Sequence, residues 1–267
     1  MRHMRKLEND ANQDGTPGVP RQRRRPAGAR RRRWAWLLCG LALTLIAATA
    51  VLAWTFPVVT AMACPRCYGL TPLTSNVYIE ATATTRVRRQ AQTDLASAAE
   101  RIRQFYGTME SSPRVLLCRT ERCYHRIGGG GEKGQALRNW ALILSPAGLN
   151  PVIATHELAH VEFHQRLGAQ RGKVPHWFDE GLAVLVSNDP RYLAPETAAD
   201  RCLTGYADAL TVTTGAWSAT AATNDRSYLK AACVVSRWVT AAGGSPAVLD
   251  LIHRVTHGDA FTSIVKP

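Results

Sequence analysis

The chain has 267 residues and a formal charge of +13. That length suits one medium globular domain plus an appended segment, and does not reach the size of a multidomain array. The charge is uneven: residues 1–33 hold eleven Lys or Arg against three acids, so this tail alone carries eight of the thirteen charges.

The tail is polar and Arg-rich, with scattered Gly and Pro, and reads as disordered. A tail this basic could bind nucleic acid. It runs straight into a long apolar stretch, however, and no nucleic-acid partner is expected. That stretch, WAWLLCGLALTLIAATAVLAWTF over residues 34–56, has no charge and is long enough to cross a bilayer as a helix. Trp34, Trp36 and Trp54 lie near its ends, where interfacial aromatics are favoured. Arg30, Arg31, Arg32 and Arg33 should stay cytoplasmic, so the C-terminal part is exported. The expectation is a single-pass protein of the inner or plasma membrane with a periplasmic or extracellular domain.

Ala61-Met62-Ala63 has the small-x-small form of a signal-peptidase site, and Cys64 follows it as in a poor lipoprotein site. The apolar core exceeds an ordinary signal peptide in length, which favours an uncleaved anchor. Residues 57–75 read as a Pro-containing linker, and 76–267 as the domain. Six of the seven cysteines, Cys64, Cys67, Cys118, Cys123, Cys202 and Cys233, fall after the apolar stretch. An even number there fits disulfides in an oxidising compartment. Cys202–Cys233 is the expected pair, with the other four pairing locally or among themselves. The alternative is a second zinc site built from Cys64-x2-Cys67 and Cys118-x4-Cys123.

Within the domain, residues 76–80 read as a short strand and 85–107 as an amphipathic helix with Leu95, Ala98, Ile102 and Phe105 on one face. Residues 113–118 read as a strand. The four glycines at 128–131 suggest a mobile loop. Residues 137–144 form one further expected strand, followed by helices from 151 to 167 and from about 177. The last third reads mainly helical, around 195–211, 225–241 and 245–256. The expected class is α+β, with a small sheet packed on the 151–167 helix and a mainly helical C-terminal part.

That helix contains Thr155-His156-Glu157-Leu158-Ala159-His160. Residues four apart share a helix face, so two imidazoles there can grip one zinc ion. The Glu after the first His then lies beside the open coordination position. The motif alone is weak. It gains weight from Trp177-Phe178-Asp179-Glu180-Gly181-Leu182-Ala183. Helix, turn and returning helix need about the spacing from His160 to Glu180 to bring a carboxylate back. Two His and one Glu leave a fourth position open, which is a catalytic and not a structural arrangement.

These residues resemble the gluzincin metallopeptidases, most of all small peptidase MA-like domains that carry HELAH followed by W-[FL]-x-E-G-[LA]-A. The resemblance covers roughly residues 76–264, and extends to Ser227-Tyr228-Leu229 and to Gly258-Asp259-Ala260-Phe261. It implies one zinc ion on His156, His160 and Glu180, Glu157 as base, Tyr228 as oxyanion donor, and a peptide or protein substrate held along an edge strand, assigned to Leu137–Leu144. Departures exclude neighbouring classes. Arg166 stands where metzincins place a third His, and the aminopeptidase G-x-M-E-N signature is absent. Val184 replaces the acid that thermolysin-like enzymes use to orient the first His, so that support must come from elsewhere.

The plainer readings are these. His164 continues the His156–His160 line and is taken as exposed. His176 is a cleft or loop histidine, and His125, His253 and His257 are surface residues. Glu162 points away from the metal face. Asp179 is a rival ligand to Glu180. The alternative function is a catalytically inactive gluzincin-fold peptide-binding module of the cell envelope. A second rival is an anchor that binds DNA or anionic lipid through the Arg-rich tail.

Overall fold

The computed structural model describes residues 27–203 and 225–266. The chain divides into two units, Met1–Val51 and Leu52–Pro267. In the first, the described residues belong to helix α1, Ala27–Thr55, which takes in the last seven residues of the expected tail. Trp34, Leu41, Ile46 and Trp54 are exposed on it. Among the described residues no helix is long and apolar enough to cross a membrane. The anchor therefore rests on the sequence alone.

The second unit mixes helix and sheet, as expected. Its sheet contains β1 (Leu70–Pro72), β2 (Val77–Glu80), β3 (Arg114–Leu117), β4 (Gly134–Leu137) and β5 (Ala141–Leu144), in the order β1-β2-β3-β5-β4. β2, β3 and β5 are parallel, while β1 and β4 run antiparallel along the two edges. Strands buried on both faces read as continuous apolar runs, and Val115-Leu116-Leu117 and Ala141-Leu142-Ile143-Leu144 do so. Successive side chains alternate between faces. Val115, Leu117, Leu142 and Leu144 join the main core, while Leu116, Ala141 and Ile143 join a second.

The main core is formed against α3 (Thr85–Tyr106) and α5 (Pro151–Leu167), with α6 (His176–Ser187), α7 (Asp225–Ala241), α8 (Ser245–Thr256) and α9 (Phe261–Ile264) around them. Each fully buried Leu or Ile there contributes about 2 kcal/mol. The second core lies under α2 (Pro57–Ala63) and α4 (Glu121–Arg126). This corrects the linker reading of 57–75: Ala61 and Met62 are fully buried and β1 is a sheet strand.

Two further expectations change. Residues 137–144 are not one strand but the end of β4, a three-residue turn and β5, with Leu137 paired to Ala141. Arg138 turns the corner at a φ of 54°. The glycine loop is tied down: Gly129 N–H donates to the Tyr124 carbonyl at 2.9 Å, and Glu132 accepts from Tyr124 Oη at 2.8 Å and Gly130 N–H at 2.9 Å. Residues 195–203 are irregular apart from a bridge between Leu193 and Cys202; the rest of the helix expected over 195–211 lies outside the described residues. The cysteines pair as Cys64–Cys67, Cys118–Cys123 and Cys202–Cys233, so the thiols of the alternative second zinc site are consumed.

Candidate metal centre

The centre is built on α5 and α6. Asn150 caps α5 by accepting the Ile153 N–H at 3.0 Å, and Pro151 opens the first turn, where its missing N–H costs nothing. The helix is buried from Ile153 to Phe163, because the sheet covers one side and α3 and α6 cover others. His156 and His160 stand one turn apart on the side facing α6.

The position of α6 follows from aromatic and glycine packing. The Phe178 ring meets Phe261 at 5.1 Å and Trp238 at 5.4 Å. Gly181 faces α7 so closely that a Cβ would stand 2.5 Å from the Ala231 carbonyl oxygen. These contacts lay the first turn and a half of α6 against the two histidines.

His156 Nε2 and His160 Nε2 are 3.2 Å apart, and Glu180 Oε2 lies 3.3 Å from the first and 3.4 Å from the second. The three atoms form a nearly equilateral triangle. Tetrahedral ligands at zinc bond lengths sit about 3.3–3.4 Å from one another. Glu180 Oε2 is buried and has no hydrogen bond of acceptable geometry, although both nitrogens are close. Its separations match those of zinc co-ligands, and equally those of an ion pair with each histidine. His156, His160 and Glu180 could together hold one divalent ion.

Asp179 is not a member of this triangle. Its Oδ1 accepts from His160 Nδ1 at 2.8 Å, and its Oδ2 from His164 Nε2 at 2.7 Å. A carboxylate on Nδ1 fixes the tautomer and leaves the Nε2 lone pair free for a metal. Asp179, beside Glu180 in sequence, thus orients the second His, while the Nδ1 of the first, His156, is buried without a hydrogen-bond partner among the described residues. His164, expected to be exposed, is three-quarters covered and locked to the same carboxylate.

The charges are strongly coupled. Burial opposes the charged form of His160, but Asp179 and Glu180 outweigh it and hold its pKa well above the usual imidazole value. Burial likewise works against both carboxylates, and the histidines overcome it, keeping Asp179 and Glu180 below the usual range. Glu157 goes the other way. Burial raises its pKa, offset in part by His156, His160 and a hydrogen bond donated by the Ala136 N–H.

That N–H belongs to β4, so an edge strand forms one wall of the centre. At Gly134 a Cβ would stand 2.7 Å from Glu157 Cγ and 2.8 Å from Leu144 Cδ2; only glycine lets the strand approach the carboxylate. A cleft of about 330 Å³ runs past Gly134, Ala136, Glu157, His176 and Tyr228. A second hollow of about 620 Å³, holding Lys133, Arg191 and Tyr192, shares Gly134, Glu157 and Tyr228 with it. Tyr228, on the first turn of α7, stacks on Tyr192 with centroids 5.4 Å apart. His176 Nδ1 is 3.7 Å from Glu180 Oε1, at the cleft and not in a remote loop.

Glu162 serves the scaffold. It is buried and accepts from Glu110 N–H, Ser111 N–H and Arg166 Nε. His125, His253 and His257 are exposed. Sequence reasoning missed Gly134 and Ala136, whose only signal was their place just before the 141–144 apolar run. No family model, no curated protein and no solved structure matches the chain. The gluzincin resemblance accordingly rests on the residues alone.

Proposed function

We propose that the protein is a zinc-dependent peptidase of gluzincin type that hydrolyses peptide bonds outside the cytoplasm. The observation that carries this reading is the triangle of His156 Nε2, His160 Nε2 and Glu180 Oε2, at the spacing of zinc co-ligands, with Glu157 beside it. His156, His160 and Glu180 would hold one zinc ion. Bound there, the ion would supply Lewis acidity, lowering the pKa of a water and polarising a carbonyl.

The remaining steps belong to the chain. Glu157 takes a proton from the attacking water as its hydroxyl adds to the scissile carbonyl carbon. Glu157 then hands the proton to the leaving amine as the C–N bond breaks. Tyr228 donates to the developing oxyanion. β4, the outermost strand of the sheet, borders the cleft and pairs with an extended peptide by strand addition. Asp179 keeps His160 in the right tautomer throughout.

Export is supported by the three disulfides, which persist in oxidising compartments. Attachment to the membrane through residues 34–56 is supported by the uncharged stretch and its Arg-rich flank. The rival reading, an inactive peptide-binding module, keeps the metal but not the chemistry.

Glu157→Gln separates the two. The amide is isosteric and is not a ligand, so zinc content and melting temperature should stay at wild-type values. Peptide cleavage in a library screen should fall by at least about 10²–10⁴-fold. A wild-type protein that holds one zinc and cleaves nothing would favour the binding module.

A further inference from the structure

We propose that the β4–β5 hairpin tip, with the exposed face of α2, docks on the surface of an anionic lipid bilayer; this rests on the reading of residues 34–56 as an anchor. A groove of about 430 Å³ is lined by Val59 and Met62 of α2, Arg114 of β3 and Trp140 of the hairpin turn. Val59 is 51% exposed and Trp140 is 41% exposed, in a unit that otherwise keeps most of its large apolar side chains inside. Trp is enriched where apolar chains meet headgroups, while Arg114 donates to the Met62 carbonyl and lies over the Tyr78 ring.

Three observations select lipid as the occupant. The uncharged stretch ends at Phe56 and α2 begins at Pro57. Because Ala61 and Met62 are locked into the core, Val59 is a fixed surface three residues from the apolar run, not part of a free spacer. The second observation is charge: Arg138 stands exposed at the turn beside Trp140, and basic residues at a membrane surface gain about 1 kcal/mol each from anionic headgroups. The third is conformation. Arg138 has a φ of 54°, a region where Gly or Asn is cheaper. A cationic side chain thus stands where the backbone would be served better by glycine.

The docking defines a substrate class. Ala136 and Gly134, which flank Glu157, lie two and four residues before Arg138, about 7 and 13 Å along the strand. A peptide paired antiparallel to β4 has its N-terminal side at Leu137, next to the tip. The peptides best placed for Glu157 are then segments that emerge from the bilayer and are cut within a few residues of it.

The test uses the full chain with Cys39→Ser, so that a nitroxide can be attached to one added thiol at Trp140→Cys or, as control, at exposed His257→Cys. Each protein is reconstituted into phosphatidylcholine vesicles with or without an equal share of phosphatidylglycerol. Flotation is checked first, and collisions with oxygen and with a water-soluble nickel chelate are then measured. Position 140 should favour oxygen, more so with phosphatidylglycerol, and position 257 should favour nickel. Adding Arg138→Gly should raise the melting temperature and abolish the phosphatidylglycerol dependence. A chain that floats with position 140 as nickel-accessible as position 257 overturns the docking and leaves the anchor standing. A chain that does not float overturns both. Peptides with an N-terminal acyl chain and spacers of increasing length should show a sharp cleavage optimum at short spacers; equal cleavage at every spacer length overturns the substrate class, whereas no cleavage of any peptide counts against the peptidase reading itself.

Discussion

Asp179→Asn probes the part of the site that the structure reassigns. The wild-type carboxylate accepts from His160 at 2.8 Å and from His164 at 2.7 Å. An amide offers one acceptor oxygen, so one of the two histidine N–H groups loses its partner. In a site this buried, a stranded donor costs about 1–3 kcal/mol. The His160 tautomer is also no longer enforced, and the negative charge behind the ligand is gone. Loss of such a partner costs about 10–100-fold in metal affinity, or about 1.4–2.7 kcal/mol. The assay is a competition titration of zinc against a calibrated chelator at neutral pH, with Glu180→Ala measured alongside. Asp179→Asn should fall in that window, and Glu180→Ala should fall well below it, because a three-ligand site has no spare donor. Stoichiometric zinc in Glu180→Ala with none in Asp179→Asn would mean that Asp179 is the ligand and Glu180 the support. The gluzincin reading would then have to be rebuilt.

Gly134→Ala should lower kcat for peptide cleavage by at least about tenfold, since its Cβ would collide with Glu157 Cγ and Leu144 Cδ2, and cost about 1–3 kcal/mol of stability. Unchanged kinetics would remove the strand wall from the mechanism. Mass mapping without reductant should find Cys64–Cys67, Cys118–Cys123 and Cys202–Cys233, with Cys39 free. Replacing Cys202 and Cys233 by Ser should cost about 4 kcal/mol in denaturant unfolding, because that bridge closes the longest loop; no loss would show the pair unformed in solution. Glu132 accepts hydrogen bonds from Gly130, its own N–H and Tyr124, which outweigh its partial burial and lower its pKa from the ordinary 4.5. A depressed carboxyl stabilises the fold above its unfolded pKa, and the benefit is lost as pH falls through the folded one. Glu132→Gln should therefore be less stable than wild type at neutral pH, with the gap closing below 4.5; a gap independent of pH would discard the loop-tying role.

The sequence by itself put His156 and His160 on one helix face, with Glu157 beside the first, and narrowed the third candidate donor to Asp179 or Glu180. Four-residue spacing on a helix leaves His156 and His160 no choice but a common face. The apolar runs at 115–117 and 141–144 announced doubly covered strands for a related reason: period and polarity are local properties. The hairpin before β5 was hidden because its turn, Arg138-Asn139-Trp140, has no glycine or proline and relies on Arg138 at positive φ. Residues 57–75 looked like a spacer because α2 is short and gains its place only from the far face of the sheet. The choice between Asp179 and Glu180 belongs to tertiary structure alone. Consecutive helical residues point about 100° apart, so a rotation of α6 by one residue would exchange their roles. Nothing local fixes that rotation. It is set by Phe178 between Trp238 and Phe261 and by Gly181 against Ala231, contacts with residues fifty or more positions away in the chain.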